Sequence, residues 1–390
     1  MKIQKGNKMI LKFRLFLGAL VLILSFSSSA RADEQQLQIG YVFNGWTSNS
    51  VFSGTEHRIP LNYSFSAPNF GLRLGTAFVA GDYKSTGGGI DGEYNSSQFS
   101  DSTIGMNVDF NMGNSMKSSF VGSMNIPTGD TTWETQEEIG AIPYVFEPSY
   151  YHGRGFGGNL FYTLDASSPG SEFGLGLGYM ATTTYDTGIS GLETYYPGDT
   201  IAALGTLGFK MSPADTLAIR VVHTFPLEST NADPTQDFTP GQSSIFTSQW
   251  VSQMGKDKLA INLSYTLYNR GFGNSLISPG TLVENSGAIF GDRLAVHPIM
   301  GYMVGKDTYL ETGLSWERIF QNGYSFGDSN FEGGGNLFGA EQSLTFQLDP
   351  GTFWNIAGLY HYIENDNAGV NRATINYQRF TIGTNVGLKW

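Results

Sequence analysis

Beyond residue 36 the chain alternates apolar and polar residues with a period of two, and that restricts it to β-strands whose two faces meet different surroundings. Leu37, Ile39, Tyr41 and Phe43 alternate with Gln38, Gly40, Val42 and Asn44. Ile104, Met106, Val108 and Phe110 alternate with Gly105, Asn107 and Asp109, and Leu259, Ile261, Leu263 and Tyr265 with Ala260, Asn262 and Ser264. Phe173, Leu175, Leu177 and Tyr179 do the same against Gly174, Gly176 and Gly178.

The connections alternate too. Short, turn-rich links at 66–69, 113–115, 165–171, 212–215, 255–257, 305–307 and 349–351 are interleaved with longer polar stretches near 44–57, 82–101, 127–152, 186–199, 226–242, 270–287, 320–336 and 363–372. That rhythm predicts about sixteen antiparallel strands, with tight turns at one end and long loops at the other. In hydrocarbon every backbone N–H and C=O must be paired, so only helices and closed barrels can span a membrane. No segment beyond residue 32 is apolar enough for a spanning helix, which leaves the barrel. One face of each strand then meets lipid and the other water or packed polar groups, which keeps the mean hydropathy at only −0.17. Tyr41, Trp46, Tyr83, Trp250, Trp316, Tyr360, Tyr362 and Trp390, near proposed strand ends, are candidates for the two interfacial aromatic girdles.

The one continuously apolar segment, Leu15–Phe26, is short for a membrane span and follows Lys2, Lys5, Lys8, Lys12 and Arg14. Ala30-Arg31-Ala32 supplies an A-x-A cleavage pattern, so residues 1–32 are expected to be a cleaved signal peptide and 33–390 the barrel domain. Residues 1–32 hold six basic and no acidic side chains, which leaves 16 Lys and Arg against 34 Asp and Glu in the remainder, a net charge of −18. A balance that negative excludes nucleic acid as an expected partner.

The last residues carry a further feature. Phe380, Ile382, Thr384, Val386, Leu388 and Trp390 form one face of a strand that ends on an aromatic carboxyl-terminal residue. Here the chain resembles the bacterial outer-membrane β-barrel superfamily, porins above all. The resemblance covers residues 34–390 in pattern, and its one near-motif is Thr381–Trp390. It implies that Phe380, Ile382, Val386, Leu388 and Trp390 act as the signal read by the barrel-assembly machinery. It also implies residence in the outer membrane among lipid and lipopolysaccharide, with short turns in the periplasm, and is compatible with a homotrimer.

Sequence motifs for chemistry are sparse. With no Cys, thiol catalysis, iron–sulfur clusters and Cys-ligated zinc are excluded. Gly153–Gly158 matches G-x-G-x-x-G, but the alternating run Asn159–Leu164 follows where a dinucleotide site needs a helix. His57, His152, His223, His297 and His361 show no metal-ligand spacing, and no Ser/His/Asp grouping can be assembled from spacing. No cofactor, no metal and no enzymatic activity are expected.

The residues expected to matter are those of a pore. The alternation places Arg73, Lys117, Lys210, Arg220, Arg293 and Arg379, with Asp109, Glu311, Glu317 and Glu341, on the lumen face. The third long stretch carries Glu134, Glu137, Glu138 and Glu147 among aromatic residues, and in order, length and acidity it resembles the loop that narrows general porins, which implies a constriction here. After it, Gly153, Gly155 and Gly157, then Gly174, Gly176 and Gly178, predict a wall almost without side chains, on which that loop can be seated. The alternative is that these glycines serve barrel curvature while the loop stays outside. Of the 34 acidic residues 21 fall in or beside the long stretches, so the outer mouth is expected to be negative and to favour cations.

The expected function is passive diffusion of small hydrophilic solutes through a polar lumen. Three alternatives stay open at this point: a path for hydrophobic compounds, a non-conducting barrel for adhesion or for a periplasmic partner, and a barrel enzyme.

Overall fold

The computed structural model describes residues 34–48, 52–87, 90–113, 115–129, 156–183, 195–196, 198–227, 230–231, 238–239, 241–270, 272–274, 282–284, 291–322, 333–365 and 376–390. Sixteen antiparallel strands close into a barrel. In chain order they are β1 (Glu34–Ser48), β2 (Phe52–Ala67), β3 (Phe70–Gly87), β4 in two segments (Ile90–Phe99 and Ser102–Asn111), β5 (Met116–Ile126), β6 (Gly157–Ser168), β7 (Ser171–Thr182) and β8 (Thr200–Lys210). There follow β9 (Asp215–Pro226), β10 (Ser243–Met254), β11 (Asp257–Tyr268), β12 (Arg293–Met303), β13 (Thr308–Ile319), β14 (Gly335–Asp349), β15 (Thr352–Asn365) and β16 (Tyr377–Lys389). Each strand pairs with the next, and β16 pairs with β1 from Gln36↔Lys389 to Ser48↔Tyr377. The ring therefore has no free edge, as a chain in hydrocarbon requires.

The closing seam is tied at its end. Gln35 N donates to Trp390 O at 2.9 Å and Trp390 N to Gln35 O at 3.0 Å, beside a 2.8 Å ion pair between Lys389 and Glu34. The registers propagate one phase around the ring. Residues directly opposite share a face, so the outward residues follow from Ile39, Leu175, Leu314 and Ile382, all more than half exposed. The inward residues are those between them. What the sequence shows as alternation is thus a single inside and a single outside.

Two expectations are corrected here. The stretches 44–57 and 82–101 are not long loops: β1 runs to Ser48 and β2 starts at Phe52, while β3 runs to Gly87 and β4 starts at Ile90. Near the rim both faces of a strand can meet water, so pairing persists where apolar alternation has faded. Second, Trp46 is not a girdle residue. It shares the inward phase of Asn44 and Ser48, and with Leu337 it packs against buried Ile363 and Tyr377. The proposed leader, residues 1–32, lies outside the described residues.

Candidate functional site

The inner wall carries the ionisable groups. The registers place Arg73, Asp109, Lys117, Lys210, Arg220, Arg293, Glu311, Glu317, Glu341 and Arg379 all on the inward phase. Several are paired there. Lys117 lies 2.8 Å from Asp109 and Arg293 3.6 Å from Glu317. Arg379 donates to Asn44 Oδ1 at 3.2 Å; Thr381 donates to the same oxygen at 2.7 Å, and Asn44 donates in turn to Glu56 Oε1 at 3.0 Å. These contacts join β16, β1 and β2 across the closing seam.

On the far side of Arg379 inward polar groups continue over β15 to β10. His361 stands opposite Arg379 in the β15–β16 register. His297 Nε2 donates to Glu341 Oε1 at 2.9 Å, and Gln249 donates to Asn262 Oδ1 at 2.7 Å. The first of these bonds skips a strand, because β13 lies between β12 and β14. Glycine makes this geometrically feasible. A Cβ on Gly313, directly opposite Glu341, would meet the Glu341 carboxylate at 2.5 Å. One on Gly339 would meet the His361 ring at 2.6 Å. The missing side chains let Glu341 and His361 lie along the wall instead of pointing to the axis.

Together these groups line a cavity of about 690 Å³ against the inner wall, bounded by Arg220, Gln249, Asn262, His297, Glu317, Glu341 and His361 among others. It presents guanidinium, carboxylate, imidazole, amide and hydroxyl groups, a surface that exchanges hydrogen bonds with water and hydrophilic solutes. Among the described residues no group of three or more His, Asp or Glu is arranged to hold a metal ion. Alternation along the strands locates the charges but gives no sign of the Asn44–Glu56 bond, of Arg58 on the inward phase opposite Val42, or of the bond between His297 and Glu341. His297 and His361 occupy inward positions of their strands, so phase alone was the available signal.

Gly174, Gly176 and Gly178 also face inward, but their wall is not bare, which corrects the expectation. Directly opposite them stand Asp165, Thr163 and Phe161 of β6. A Cβ on Gly178 would lie 2.2 Å from the Phe161 ring and one on Gly174 2.3 Å from the Asp165 carboxylate. The glycines seat side chains of the adjacent strand. Gly157 is inward as well, whereas Gly153, Gly155, Glu134, Glu137, Glu138 and Glu147 lie outside the described residues.

No protein-family model and no curated protein matches the chain. Solved structures do resemble it in overall fold. OccAB4 of Acinetobacter baumannii is similar at 8% identity and a TM-score of 0.45, over 93% of this chain and 99% of that one. The CymD monoaromatic hydrocarbon channel is similar at 7% identity and a TM-score of 0.46, over 93% and 90%. A FadL homologue of Pseudomonas aeruginosa is similar at 8% identity and a TM-score of 0.45, over 93% and 91%.

Proposed function

We propose that this closed barrel is a passive channel of the bacterial outer membrane for small hydrophilic solutes. The observation that carries the reading is the inner wall: from β9 round to β2 it is lined by hydrogen-bonding and ionisable side chains beside a cavity of about 690 Å³. Transport needs no covalent step. Solutes exchange water for wall groups and are selected by width and charge.

The wall carries both signs in near-equal number, so it is not the source of a strong ion preference. A preference for cations rests on the acidic charge of the outer stretches, to which Glu134, Glu137, Glu138 and Glu147 contribute. If that loop folds inward, the side chains of β6 and not bare glycines form its seat.

Purified protein in a planar bilayer tests the reading. Discrete conductance steps are expected, and a silent barrel that binds ligand would overturn it. A second reading, a route for hydrophobic compounds, draws on the inward cluster of Trp46, Leu337, Ile363 and Tyr377. It requires uptake of an apolar probe with little ionic conductance.

A further inference from the structure

Gln342 is the central residue of the fifteen-residue strand β14, seven positions from either end. It stands on the outward phase with Phe338 and Ala340, and like them it is exposed. The outward amides Gln35, Asn336 and Gln378 lie at strand ends, within reach of water, and Asn95 stands on the outer hairpin segment Ile90–Phe99. Gln342 is different. Seven residues of a tilted strand put it roughly 17 Å from the short turn, far beyond the reach of its own side chain.

The amide has no side-chain hydrogen bond to any described residue. Its lateral neighbours on the outer face are Thr312 of β13 and Gly358 of β15. A Cβ on Gly358 would meet nothing within 4 Å. The patch therefore combines an unpaired donor and acceptor with open space beside it, in the middle of the apolar belt. Hydrocarbon cannot satisfy an amide, and polar groups facing lipid at this depth are costly.

We propose that two copies of this chain dock through the outer face of β13–β15, with their Gln342 amides paired across a two-fold axis along the membrane normal. A primary amide carries donor and acceptor in one group, so two identical copies satisfy each other without a second residue type. Both copies enter the membrane with the same orientation, which fixes the axis parallel to the normal. Thr312, Ala340 and Gly358 present little bulk and let the two walls approach closely.

The chain has no Cys, so single-cysteine variants report contacts without background. Gln342→Cys, in outer membranes treated with an oxidant or a short bismaleimide, should give a covalent dimer. Leu175→Cys, on the exterior of β7 across the barrel, should stay monomeric. A complementary measurement avoids cysteine: in mild detergent the unmodified chain should run as a dimer and Gln342→Leu as a monomer that still folds, judged by heat-modifiable migration. Absence of the Gln342→Cys dimer, or equal cross-linking from Leu175→Cys, would overturn the proposal. So would a Gln342→Leu barrel that remains dimeric, or a three-fold assembly in which β14 faces a different strand.

Discussion

His297 Nε2 donates to Glu341 Oε1 at 2.9 Å although strand β13 runs between them, because Gly313 leaves the space the carboxylate crosses. Gly313→Leu should fill that space, push Glu341 toward the axis and lower single-channel conductance. Gly205→Leu is the control, since Gly205 faces outward into open space. The bond itself is part-exposed, so Glu341→Ala should cost only about 1 kcal/mol of stability. Equal conductance in Gly313→Leu and the unmodified channel would show that the strand-skipping contact does not border the conducting path.

Arg220 sits on the cavity wall with no carboxylate within ion-pair distance among the described residues. No described carboxylate offsets its charge locally. Arg220→Glu should shift the reversal potential under a salt gradient toward cations, and more strongly at low ionic strength, where screening is weak. Arg293→Gln should shift it less, because Glu317 at 3.6 Å already offsets that guanidinium.

Deleting 132–142 should raise single-channel conductance if the third outer stretch narrows the pore. Neutralising Glu134, Glu137 and Glu138 together should reduce cation preference with little change in conductance. Unchanged selectivity after neutralisation would place those carboxylates outside the path of the ions.

Deleting Leu388–Trp390 removes the paired backbone bonds between Gln35 and Trp390 and the ion pair of Lys389 with Glu34. Each backbone bond is worth roughly 1 kcal/mol, and the first residues of β1 would lose their seam partners. The truncated chain should reach the outer membrane as folded, heat-modifiable barrel in much smaller amounts than one shortened in an outer stretch. Trp390→Ala keeps the backbone pairs and should show a milder defect.

Much of the barrel is legible in the sequence because its physics is local. Alternation along Leu37–Phe43 or Phe173–Tyr179 depends only on which face meets lipid, so the inward charges could be assigned by counting residues. Counting also failed in identifiable places. Trp46 keeps the polar phase of Asn44, yet its proximity to the strand end suggested a girdle. The outer hairpins of β1–β2 and β3–β4 looked like loops because strands above the membrane lack an apolar face.

The sequence by itself determined that the chain alternates, where it turns tightly, and which side chains share a face, since each follows from neighbours one to four residues apart. Only the tertiary structure decided who meets whom across the wall. The approach of Glu341 to His297 depends on a glycine 28 residues before the carboxylate, and Phe161 finds its place because β7 presents Gly178 opposite it. Closure of β16 on β1 brings Arg379 to Asn44 over a separation of 335 residues. No local period encodes such contacts, because they arise from strand order and register, and those are fixed only when the ring is closed.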